Sequence, residues 1–185
     1  MHGVMFTSLR EYLGAEHGAE TASRVFADEQ QYVLSEAYPD DRFRALIDRA
    51  ATATRLTDDE LLYRFGVFAG QTVFVRLYPT FFEVAQSARE FLLVVEQRIH
   101  ELVRATIPGA SPPQLFISEL DGDDGILIVY TSPRRLCALL RGVAEGTARR
   151  FGETTEIVET SCMRKGDLAC RFELRLSPAA AHRSA

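Results

Sequence analysis

Apolar positions recur at helical spacing through the first two thirds of the chain and change to strict alternation in the last third. Leu9, Tyr12 and Leu13 follow Met5 every third or fourth residue, which predicts a helix that Gly14 ends. A second short helix spans Thr21 to Ala27. After the turn at Tyr38, Pro39, Asp40 and Asp41, the stripe Phe43, Leu46, Ile47 and Ala50 marks a third. Thr57 with Glu60 three residues on, just ahead of Leu61 and Leu62, has the form of a capping box. The Thr oxygen and the Glu carboxylate there each take one unpaired backbone N–H. That fourth helix ends near Gly70. Phe81 to Ile107 is the longest periodic stretch and reads as one helix, closed by Pro108-Gly109 with Pro112-Pro113 beyond.

Alternation then takes over. Leu115 to Leu120 and Ile126 to Thr131 flank the turn 121–125 as a hairpin. Leu136, Leu139, Leu140, Val143, Thr147 and Phe151 give one more helix. A second hairpin joins Thr155–Cys162 to Leu168–Leu176, with Leu168, Cys170, Phe172, Leu174 and Leu176 on one face. The expected class is α+β: a helical N-terminal subdomain plus a C-terminal four-stranded antiparallel sheet with flanking helices. Residues 1–177 form one domain, divided at about residue 60, and 178–185 a disordered tail.

Composition narrows the function classes. The 185 residues carry 21 basic and 26 acidic side chains, a net charge of -5, with no basic block, so neither nucleic acid nor an anionic membrane surface is an expected partner. The longest apolar runs, Phe91–Val95 and Ile126–Tyr130, are far short of the roughly 20 residues that cross a bilayer. A cytoplasmic protein is expected. An odd three cysteines at wide spacing then point to reduced thiols or a metal rather than a disulfide framework. No nucleophile triad, phosphate-cradling glycine loop or carboxylate pair stands out, and the chain reads as a non-enzyme. His2, His17 and His182 read as solvated.

Two features carry chemistry. His100 shares a helical stripe with Leu93, Val103 and Ile107. On this pattern it is either a satisfied core residue or, as neutral imidazole in a dry wall, an axial metal or haem ligand. At the end of the strand that begins at Ile126, Tyr130, Ser132 and Arg134 alternate and so face one side. A phenol, a hydroxyl and a guanidinium suit a carboxylate or phosphate, although a solvated arginine at a strand end fits the same pattern.

Together these residues resemble the H-NOX family, the haem nitric oxide/oxygen binding domains related to the haem domain of soluble guanylate cyclase. The opening Met1-His2-Gly3-Val4, His100, the stretch Pro108-Gly109-Ala110-Ser111-Pro112-Pro113, and Tyr130-x-Ser132-x-Arg134 follow in the family's order. The resemblance implies haem b between the two subdomains, carried mainly by residues 61–177. His100 would be its iron ligand, Tyr130, Ser132 and Arg134 would hold its propionates, and Pro113 would press on the macrocycle. It places Leu139 where oxygen-binding members carry a distal tyrosine. Leu139 has Met5, Phe68, Ala69 and Val143 as expected neighbours, a hydroxyl-free set that implies binding of NO and CO with little O2. It further implies that NO weakens the iron–His100 bond and shifts the subdomains against each other. Some bacterial members hold a structural zinc with three cysteines and a histidine. Cys137, Cys162 and Cys170 match those cysteines and Glu159 stands at the histidine position, with three separate buried thiols as the other outcome.

The expected function is a stand-alone haem gas sensor that signals to a separate protein, a histidine kinase or a cyclic-di-nucleotide enzyme. The alternative is a haem-free ligand-binding or protein-interaction module of the same fold. A reactive Cys162 is a third reading, with no nearby histidine in its favour.

Overall fold

A computed structural model describes residues 1–120 and 125–179; residues 121–124 of the expected turn 121–125 and residues 180–185 of the expected tail lie outside the described residues. The helical half runs α1 (Gly3–His17), α2 (Ala19–Val25), α3 (Asp40–Thr54) and α4 (Asp58–Phe68). Gly14 lies inside α1 and not at its end: the chain leaves the helix only at Gly18, where φ is 88°. The capping box forms as expected, with Glu60 N–H donating to Thr57 Oγ1 at 3.3 Å and Thr57 N–H to Glu60 Oε2 at 3.0 Å. Phe6, Leu9, Leu13, Leu46, Ile47 and Phe65 are sealed in the first of two hydrophobic cores, which also takes in Ala69 and Leu139.

Helix α4 ends at Phe68, close to the expected Gly70, but the chain stays helical beyond it: a π-helical turn (Ala69–Val73) leads into α5 (Phe74–Leu77), followed by α6 (Pro79–Val84). The stretch expected as one helix from Phe81 to Ile107 is also broken. Ala85 is extended and Ser87 caps a new helix, its hydroxyl accepting from Glu90 N–H at 3.2 Å. From there α7 (Ala88–Val94), a second π-helical turn (Val95–His100) and α8 (Glu101–Thr106) follow in line. A wider i→i+5 turn holds an extra residue, and such insertions break simple helical periodicity.

Strands β1 (Gln114–Glu119), β2 (Ile126–Thr131), β3 (Glu153–Ser161) and β4 (Cys170–Pro178) form one antiparallel sheet in the order β1-β2-β4-β3, with α9 (Cys137–Arg150) between β2 and β3. Ile126, Ile128 and Tyr130 of β2 stand opposite Leu174, Phe172 and Cys170 of β4, and all six are buried in the second core. Leu168 is 94% exposed and lies before the strand, so it does not share the face predicted for it. The tail expected from residue 178 begins later: Pro178 ends β4 and Ala179 N–H donates to Gly152 O at 2.8 Å.

Helix α9 joins the two cores. A Cβ added at Gly142 would stand 2.0 Å from the Tyr63 carbonyl oxygen, and one at Gly66 would stand 2.3 Å from that of Leu139. The backbones of α4 and α9 therefore touch at glycines, a contact that any larger residue would prop open. That contact fixes Leu139, Leu140 and Val143 on one side of a cavity between the cores. No helix among the described residues is long and apolar enough to cross a membrane.

Candidate functional site

The cavity is lined mainly by apolar side chains. Val4 and Met5 come from the start of α1, Phe74 and Tyr78 from the region of α5, and Leu139, Leu140 and Val143 from α9. The rest of the lining includes Leu92, Val95, Ile99, His100 and Val103, with Pro112 and Pro113 at the entry to β1. The π-helical turn rephases this wall, so that Leu92 rather than Leu93 joins His100 on the cavity side. Phe68 and Ala69 share the first core with Leu139, as expected, but unlike Leu139 they do not line the cavity.

His100 is held from behind. Its Nδ1 lies 2.7 Å from Glu96 Oε2, one helical turn earlier, and the ring is 17% exposed. Burial lowers the imidazole pKa from its ordinary value and outweighs the raising effect of Glu96, so the ring is neutral near pH 7. With Nδ1–H donated to the carboxylate, Nε2 carries the lone pair and remains for the cavity. Glu96 also accepts from Leu115 N–H at 3.3 Å and pairs with Arg104. Burial raises the Glu96 carboxyl, and the bonds from Arg104 and His100 outweigh it to leave the group below its usual value. The sequence reading missed Glu96. Its i, i+4 spacing to His100 was the available signal.

Tyr130, Ser132 and Arg134 all line the same cavity. The Tyr130 oxygen accepts from Leu136 N–H at 3.0 Å, and burial pushes this phenol up. Ser132 Oγ accepts from Arg134 N–H at 3.3 Å. Arg134 Nε–H donates to Asp40 Oδ1 at 2.8 Å and its Nη1 to the Ser111 carbonyl. The N-terminal ammonium reaches the same Asp40 oxygen at 2.6 Å. Two of the guanidinium's nitrogens are thus held by the protein's own acceptors, which aims the group at the cavity rim.

His2, expected to be solvated, lies in the cavity wall. Its Nδ1 accepts from Val4 N–H at 3.3 Å as the cap of α1, which leaves the proton of the neutral ring on Nε2. That Nε2 is buried and has no hydrogen-bond partner among the described residues. His17 meets the Tyr12 hydroxyl at 3.2 Å, and His182 lies outside the described residues.

A second cluster stands in the core beside the cavity. The sulfurs of Cys137, Cys162 and Cys170 are all buried and within 4.8 Å of one another; Cys137 and Cys162 share a thiol–thiol hydrogen bond at 3.8 Å and form no disulfide. Burial, followed by repulsion from Cys170 and Cys162, pushes the Cys137 thiol up to about 12. Glu159 is not brought into this cluster: its carboxylate accepts from Lys165 Nζ at 3.2 Å.

Residues 2–159 match the family described as Haem-NO-binding. The chain is 27% identical over 143 residues to soluble guanylate cyclase 89Db of Drosophila melanogaster, covering 72% of this chain and 20% of the cyclase, and so spans about a fifth of that relative's length. An H-NOX protein from S. oneidensis in the Fe(II)NO ligation state superposes with a TM-score of 0.86 at 21% identity, covering 96% of this chain and 99% of that one. The Fe(II) unliganded H-NOX protein from K. algicida gives 0.82 at 20% identity, covering 99% and 100%. A mutant of T. tengcongensis H-NOX gives 0.83 at 19%, covering 97% and 100%. At these identities the structures establish a shared fold, and the family match over most of the sequence establishes more: this chain belongs to the Haem-NO-binding, or H-NOX, family of haem-based gas-sensing domains, which are sensor modules and not enzymes.

Proposed function

We propose that this domain senses NO, and also binds CO, at a ferrous haem b ligated by His100 Nε2, with little affinity for O2. The carrying observation is one apolar cavity that places a neutral, carboxylate-backed imidazole in one wall and Tyr130, Ser132 and Arg134 at its rim. The donors present fit a flat apolar disc with two carboxylates. The buried Nε2–H of His2 lacks an acceptor that a carboxylate-bearing ligand brings, and Arg134 is aimed at the rim with Nη2 still to donate. When bound, the haem iron supplies the site at which a diatomic gas coordinates.

The chain's own residues do the rest. Tyr130, Ser132, Arg134 and His2 orient the carboxylates, Pro112 and Pro113 form a stiff wall, and the sealed cores keep water out. Leu139, Val143 and Met5 offer no hydrogen bond, and among the described residues Tyr78 is the one phenol in the lining besides Tyr130; a wall this short of donors favours NO and CO over an O2 adduct that needs one. Partner proteins of the histidine kinase or cyclic-di-nucleotide class are what the family resemblance implies. For the thiols we infer a zinc ion held by Cys137, Cys162 and Cys170, supported by their convergence, with a fourth donor other than Glu159 as it now stands.

Absorption spectra of reduced, haem-reconstituted protein test this reading. The expected result is a strong Soret band that moves with NO and with CO and stays put in air. No Soret band favours a haem-free binding module, and a shift in air overturns the exclusion of O2.

A further inference from the structure

We propose that Glu96 is a positioning residue that sets the strength of the bond between His100 and iron and couples that bond to the backbone of β1. The inference rests on the haem reading of the cavity and deepens it.

Three donors converge on this one carboxylate. Oε2 takes His100 Nδ1–H at 2.7 Å and Leu115 N–H at 3.3 Å, while Oε1 takes Arg104. The side chain is only 21% exposed, so these contacts are made largely out of water, where a charge-assisted hydrogen bond is strong. A carboxylate that draws on the Nδ1 proton enriches the ring in electrons and makes Nε2 a stronger donor to a metal. It also fixes the tautomer, since Nδ1 must keep its proton. Arg104 opposes this effect: by pairing with the other oxygen it spreads the negative charge away from the imidazole.

The coupling follows from the shared oxygen. Leu115 is two residues beyond Pro113, and in β1 it stands opposite Tyr130 of the rim. An imidazole that gains or loses its metal changes how strongly Nδ1–H holds Oε2, and the same oxygen then binds Leu115 N–H more or less tightly. The ligand's helix, the proline wall and the strand paired with Tyr130 meet at this one atom.

The test uses haem-loaded wild-type protein and the Glu96→Gln, Glu96→Ala and Arg104→Ala variants. Resonance Raman of the ferrous state should show the iron–imidazole stretch falling in the order Glu, Gln, Ala and rising in Arg104→Ala. Haem transfer to apomyoglobin should speed up roughly 10- to 100-fold in Glu96→Ala, with Glu96→Gln between. Nitrogen-detected NMR of the haem-free wild type should find His100 protonated at Nδ1, and Glu96→Ala should mix the tautomers. A purely structural role would lower the stretch in Arg104→Ala as well. A normal Soret band with the stretch unchanged in both Glu96 variants overturns the proposal; the near-isosteric Gln variant keeps this test alive if the Ala variant fails to fold. Absence of a Soret band in the wild type overturns the haem reading instead, and the His100 tautomer still reports whether Glu96 positions the ring.

Discussion

The His100 centre lies in the cavity wall and the thiol cluster in the second core beside it, and the two are built in opposite ways. Behind the His100 imidazole stands a charged acceptor, Glu96, and in front of it lies a cavity. The three sulfurs face one another, and burial with mutual repulsion holds Cys137 in its thiol form. A ligand with support behind and space ahead suits a group whose bond changes during function. A closed set of soft donors suits an ion that stays in place, because structural zinc sites complete their shell with protein ligands while reactive sites keep a position open. The centres are also neighbours. Tyr130 of the rim stands opposite Cys170 across β2 and β4, and Cys137 opens the helix that carries Leu139 and Val143 into the cavity wall.

Removing the proposed iron ligand tests the comparison most severely. His100→Gly should lose essentially all haem on purification and regain a Soret band when imidazole is supplied, as expected if the His100 imidazole would hold the haem iron. Stoichiometric haem in that variant without imidazole would remove His100 from the site.

The closed centre should act through stability and leave the absorption spectrum alone. Zinc present at 1,000 times its dissociation constant adds about 4 kcal/mol to folding. Chelation, or Cys162→Ser, should therefore lower the melting temperature while the haem spectrum stays unchanged. Zinc content near zero in protein purified without chelator, with all three thiols titratable, would leave a cluster of buried thiols and nothing more.

What the sequence showed and what it hid divide along the same physical lines. Capping chemistry at Thr57 and Glu60 is local, and the strands' alternation reflects one buried face, so both were readable from residue types alone. Gly14 misled because a glycine within a helix costs only about 1 kcal/mol, which the burial of Leu9, Tyr12 and Leu13 overrides. The long periodic stretch misled for another reason. A π-helical turn at Val95–His100 leaves no residue signature, yet it rephases the wall that presents His100. His2 was hidden because its burial depends on a cavity assembled from both halves of the chain. The convergence of Cys137 with Cys162 and Cys170 was suggested by the resemblance, while the engagement of Glu159 by Lys165 depends on the turn between β3 and β4.

Gly142→Ala strikes the helix that serves both centres. Its Cβ would collide with the Tyr63 carbonyl, a backbone group with no rotamer to move, and the expected loss is about 3 kcal/mol. For a chain of this length that corresponds to roughly 6–12 °C in melting temperature. Because α9 carries Cys137 at one end and Val143 in the cavity wall, zinc content and haem retention should fall together. Loss of one without the other would show that the two centres do not share this helix as a common support.

The smallest effect belongs to Asp40, which joins the N-terminal ammonium to Arg134. Burial raises its carboxyl, and Arg134 with the ammonium outweighs that to hold it below the usual carboxylate range. A group whose pKa is lower folded than unfolded contributes stability above its unfolded value, near pH 4, and loses that contribution as pH falls through the folded value. The side chain is 47% exposed, so screening keeps the contribution below about 1 kcal/mol. Urea titrations of wild type and Asp40→Asn should differ by that amount at pH 6 and converge in acid. The same substitution weakens the protein's own hold on Arg134 Nε, so it should shift haem retention only slightly, far less than His100→Gly. A loss of haem as complete as in His100→Gly would mean that Asp40, and not the iron ligand, governs how the cavity holds its group.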